Sequence, residues 1–176
     1  MNERTITEEQ WLHLKDQTRD TALAILVTCD AILKQMDENH LMEPVLIAIC
    51  TGLYTHSVEE YGKLILLQCH LPVDGKVIIN YNDEFKNHKV KFGLALKNMP
   101  SSCKTLHSGN FDSRSFSDDF DIDTTAEWNT RLEIFNTDID QNGNVKPYPT
   151  IDLEKLKQAV NDFQVILWQT IPNQSF

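Results

Sequence analysis

The sequence predicts a mainly α-helical protein: a four-helix-type bundle with a small β-hairpin insertion before the last helix. Three observations carry this reading. Apolar residues recur at steps of three and four along 7–35, 44–70 and 153–167, which is the helical period. Turn and stop residues lie between these segments, at Asp37-Glu38-Asn39-His40, at Pro72 to Gly75 and at Met99-Pro100. A short strand pattern, Leu132-Glu133-Ile134-Phe135, is followed by turn residues and by the return Val145-Lys146-Pro147-Tyr148. At 176 residues the prior is a single α-helical domain spanning 1–176, able to bury a core without disulfides or metal.

The first helix is expected over 7–35, with Thr7 and Gln10 as a capping box. Trp11, Leu14, Thr18, Ala22, Ile25, Cys29, Ile32 and Met36 form its core stripe, which Leu23, Ala24 and Val27 widen. The second helix is expected over 44–70, with Pro44 in its first turn. Leu46, Ile49, Leu53, Leu64 and Leu67 share one face and Tyr54, Val58, Tyr61 and Ile65 extend it, so this helix should be central. Residues 76–81 fit either a short helix or an extended segment. A third helix is expected over 83–97, with Phe85, Phe92 and Leu96 toward the core. Residues 101–127 are rich in Ser, Asp and Asn, with Phe111, Phe116 and Phe120 between them, and read as a long surface loop. The hairpin occupies 132–148. Thr150 or Asp152 caps the last helix, whose stripe of Leu153, Leu156, Val160, Phe163 and Leu167 should pack within the chain or in a homodimer.

Composition narrows the function classes. Sixteen Lys and Arg stand against 26 Asp and Glu, a formal net charge of −10. That argues against a general nucleic-acid coat and leaves room for a local basic site. The most apolar stretch, 45–71, is broken by His56, Glu59, Glu60 and Lys63, short of the ~20 uncharged residues of a membrane span. The N-terminal residues lack the apolar core of a secretory signal. Cys29, Cys50, Cys69 and Cys103 are widely spaced, which suits free thiols in a reducing cytoplasm. Neither a Gly-rich phosphate loop nor a serine-nucleophile elbow occurs, so no cofactor is expected.

Three segments hold chemistry-bearing residues. In Ser57-Val58-Glu59-Glu60-Tyr61-Gly62-Lys63, Glu60 projects onto the face of Leu53, Leu64 and Leu67. A carboxylate there is expected to be desolvated and met by a cation from a different helix, either as a helix clamp or as a proton-transfer group. Glu59, Lys63 and His56 project onto the adjoining face. Gly62 costs about 1 kcal/mol inside a helix, which a close approach by another helix would explain. In His88-Lys89-Val90-Lys91, His88 and Lys91 share a side with Glu84. Residues 86–104 carry five lysines and no acid, which reads as a phosphate-binding patch or a solvated face, with His88 paired to Glu84 or Glu60. Finally, Asp138, Asp140, Asn142 and Gly143 match the start of a calcium loop, but Pro149 stands where the closing Glu belongs, so an ordinary hairpin turn is expected and no metal.

In this order the segments resemble the AbiV family of abortive-infection (phage-resistance) proteins. Ser57 to Lys63 looks like the family's S-x-E-E-x-G-K helix and His88 to Lys91 like its H-K-x-K segment. Trp128 to Pro149, with Arg131, the Phe135 to Asp140 strand and the Gly143 turn, is similar to its C-terminal R…YVD…G…P stretch. The resemblance implies a HEPN-like helical bundle in a cytoplasmic prokaryotic defence protein. It would act through binding, with a phage protein, a host protein or RNA as partner and no membrane. The alternative is a HEPN-like ribonuclease or toxin effector. HEPN ribonucleases place a His four to six residues after an Arg, and Arg4, Arg19, Arg114 and Arg131 all lack one. An enzyme here would need Glu60, Lys63 and His88 as its catalytic set, with Glu59, Lys89, Lys91 and Arg131 as binding residues. A second alternative is a ligand-sensing helical bundle without a defence role.

Overall fold

The computed structural model describes residues 3–36, 43–104 and 151–170, with backbone only at 43, 82, 83, 89 and 104. The described residues are mainly helical, with one small two-stranded antiparallel sheet. In chain order they form β1 (Glu3–Thr7), α1 (Glu8–Met36), α2 (Glu43–Cys69), β2 (Lys76–Asn80), a π-helical turn (Tyr81–Phe85), α3 (His88–Asn98), the short α4 (Ser101–Lys104) and α5 (Leu153–Gln169).

The expected capping box starts α1. Gln10 N donates to Thr7 Oγ1 and Thr7 N donates to Gln10 Oε1, at 3.1 and 3.0 Å. The stripe then buries Trp11, Thr18, Ala22, Cys29 and Met36, and Leu23 beside them. Ala24 and Val27, expected to widen the stripe, face outward. α1 and α2 run antiparallel, as three side-chain ties show. Trp11 Nε1 donates to the Leu67 carbonyl (2.7 Å), Ser57 Oγ to that of Ala22 (2.9 Å) and Cys29 Sγ to that of Cys50 (3.4 Å).

α2 is central, as its apolar breadth predicts. Tyr54, Val58, Tyr61, Leu64 and Leu67 are all buried. Of the face expected through Leu46, Ile49, Leu53, Leu64 and Leu67, the last two are buried, Leu46 and Leu53 are half-buried against the core, and Ile49 is exposed. α5 closes the main core. Asp152 Oδ1 caps it by accepting from Glu154 N and Lys155 N. Leu156, Ala159, Val160, Phe163 and Leu167 are fully buried within the chain. Phe163 meets Tyr54 and Tyr61 edge to face, with ring centroids 5.9 and 5.4 Å apart.

The sheet is the larger departure. Residues 76–80 are extended and alternate, with Val77 and Ile79 inward and Ile78 outward. Their partner is the N-terminal strand, in a register that pairs Glu3 with Asn80 and Thr7 with Lys76. Asp74 and Gly75 both have positive φ, 51° and 70°, and turn the chain from Val73 to Lys76 as a type I′ hairpin turn. Gly75 then accepts from Glu8 N at 3.0 Å, which ties the turn to the start of α1. Trp11, Leu66, Leu67, Val77, Ile79 and Phe85 form a second, smaller core beneath the sheet. The hairpin expected at 132–148 and nearly all of the loop at 101–127 lie outside the described residues. Residues 101–104, expected to begin that loop, are helical.

The third helix is broken where one continuous helix was expected. The π-helical turn ends at Phe85, and α3 begins at His88 with Asn87 Oδ1 accepting from Val90 N. Beyond α3, Tyr54 donates its hydroxyl to the Cys103 carbonyl at 2.8 Å. Burial pushes the Cys103 thiol up to about 11, so it stays protonated at neutral pH. The sign of the linkage follows. Cys103 supports folding fully below a free thiol's ordinary 9.0, and that support is lost as pH rises toward about 11. Stability measured by denaturant titration is therefore expected to fall between these pH values, and the fall should be shallower in Cys103→Ala.

Candidate functional site

Every residue along α2 advances by 100°, so adjacent acids look in very different directions. Glu59 shares its side of α2 with Gly62, and that side faces α3. A Cβ built on Gly62 would lie 1.8 Å from the Lys91 carbonyl oxygen, so only glycine allows this approach. The close approach expected from Gly62 is therefore present, and α3 is the helix that makes it.

The same contact brings the two chemistry-bearing segments together. Glu59 is 3% exposed. Its Oε1 accepts from Lys91 Nζ at 2.7 Å and faces His88 Nδ1 within hydrogen-bonding distance. The Lys91 side chain is 7% exposed and that of His88 is 47% exposed. The cluster thus runs from a buried ammonium through a buried carboxylate to an imidazole at the surface. Removing Glu59 would leave the buried Lys91 ammonium without its carboxylate.

The expected inter-helix clamp therefore exists but falls on Glu59. Glu60, placed inside by the wheel through Leu53, Leu64 and Leu67, pairs instead with Lys63 of its own helix at 3.2 Å. Both line an open groove between α1 and α2. Glu60 and His88 do not form the expected pair, and Glu84 does not pair with His88. Glu84 Oε2 meets His70 Nε2 at 2.8 Å, fastening the π-helical turn to the end of α2. The Lys89 side chain, Arg131, Asp138, Asp140 and Asn142 lie outside the described residues.

Chemically, Glu59 can orient the His88 ring through Nδ1. That is an orienting carboxylate behind a surface imidazole. Sequence reasoning missed the reciprocal contact of Cys29 and Cys50, each thiol lying against the other's carbonyl. Contact with Cys50, reinforced by burial, pushes the Cys29 thiol up, so it is a packing group and not a nucleophile. Among the described residues, no group of three or more His, Cys, Asp or Glu side chains is placed to hold a metal ion. No helix among them is long and apolar enough to cross a membrane. The chain has no significant match among protein-family models, curated proteins or solved structures.

Proposed function

We propose that this chain is an AbiV-type abortive-infection protein, a HEPN-like helical bundle that acts by binding a phage or host macromolecule in the prokaryotic cytoplasm. The observation that carries the reading is the meeting of its two main motif segments. Ser57 ties α2 to α1, Glu59 ties α2 to Lys91 and His88, and Gly62 lets α3 approach. Residues read separately as family marks act together as one packing unit. Ser57, Glu59, Gly62 and Lys91 are engaged in holding helices together, which favours a binding scaffold over a catalytic centre.

The experiment is a phage challenge of a bacterial host carrying the gene, alongside incubation of the purified protein with cellular RNA. The binding reading expects protection that persists in a folded His88→Ala variant, with the RNA intact. Absence of protection against every phage tried would remove the defence reading. A ribonuclease is the second reading, favoured by the exposed His88 ring on its buried carboxylate. It expects RNA cleavage that His88→Ala abolishes while the fold is retained, with Glu59 as the orienting group.

A further inference from the structure

The groove between α1 and α2 is separate from the α2–α3 clamp and has a chemistry of its own. It is an open groove of about 560 Å³. Leu14, Gln17, Thr18 and Asp20 line it from α1, with Asp20 Oδ1 already accepting from Arg19, and Glu60 and Lys63 line it from α2. Glu60 is 13% exposed at its side chain, and Lys63 occupies only its Oε2, at a loose 3.2 Å. Its Oε1 has no partner among the described residues. Glu60 Oε1 is therefore an acceptor with capacity to spare, beside an ammonium that is 27% exposed.

A ligand with one charge fits this wall poorly. A simple anion meets Glu60, and a simple cation meets Lys63. A molecule that carries ammonium and carboxylate a few atoms apart satisfies both: its ammonium donates to Glu60 Oε1 and its carboxylate accepts from Lys63. We propose that this groove binds a free α-amino acid in its zwitterionic form. Gln17 offers neutral hydrogen bonds from the opposite wall, and Leu14 offers apolar contact to the ligand's side chain. The proposal stands on the groove alone and does not depend on the defence reading.

The test uses the full-length protein with L-alanine, L-glutamine, L-leucine and L-phenylalanine, measured by calorimetric titration and thermal melts. At least one is expected to bind and, at about ten times its Kd, to raise the melting temperature by roughly 3 °C. The N-acetyl, C-amide form of the same amino acid lacks both charges and should do neither. Glu60→Gln and Lys63→Met should each weaken binding about tenfold or more, the loss of a charge-assisted hydrogen bond. The proposal is overturned if none of the four amino acids gives heat or a shift. Equal binding of the blocked form, or binding that survives Glu60→Gln and Lys63→Met, also overturns it.

Discussion

Gly62→Ala is expected to destabilise the protein by about 3 kcal/mol or more, at the upper end of overpacking effects. The new methyl carbon would sit 1.8 Å from the Lys91 carbonyl oxygen and 2.5 Å from its carbonyl carbon. These are backbone atoms of α3, so no side chain can swing aside to make room. The helices must separate, and separation also lengthens the contact between Lys91 and Glu59. On an exposed helix the same change would stabilise by about 1 kcal/mol, because Ala is the better helix former. Even the sign of the effect therefore reports the close approach. Denaturant melts of the two proteins measure it, and an Ala variant as stable as wild type would place α3 farther from α2.

Glu59→Leu is expected to cost about 3–5 kcal/mol, the usual penalty for leaving one partner of a buried ion pair behind. Lys91, 7% exposed, would be the stranded group. His88 can reach water and would lose only its orienting partner. Glu60→Leu is expected to cost less than about 1 kcal/mol, because Lys63 is 27% exposed and can turn to solvent. Two neighbouring acids of the same helix should thus differ by several kcal/mol in paired thermal and denaturant melts. Equal losses would mean that both carboxylates are held alike.

That contrast also marks the limit of what the sequence conveys. Local signals read correctly: the Thr7/Gln10 capping box, the Asp152 cap, the α1 stripe and the close approach at Gly62 all follow from residues within a turn or two of each other. The choice between Glu59 and Glu60 does not, because α2 is buried around most of its circumference and its apolar pattern points to no single face. The wheel through Leu53 selected the acid one residue too far along. β1 has one apolar residue, Ile6, in five, so its extended form depends on a partner distant in sequence. The Asp74-Gly75 pair stops α2 and is also a hairpin signal, but it does not say that β2 pairs with the N-terminal strand. Asn87 marks the start of α3, but Asp83 a turn earlier is an equally good capping residue by type.

The account rests on Glu59 and Lys91 forming one buried pair that joins α2 to α3, and a double-mutant cycle measures that pair directly. Stabilities of wild type, Glu59→Leu, Lys91→Met and the double variant give the coupling. The pair predicts a double variant within about 1 kcal/mol of wild type, since an apolar replacement of both partners leaves no stranded charge, and a coupling of about 3 kcal/mol or more. A coupling near zero, with the two single losses simply adding, would contradict it.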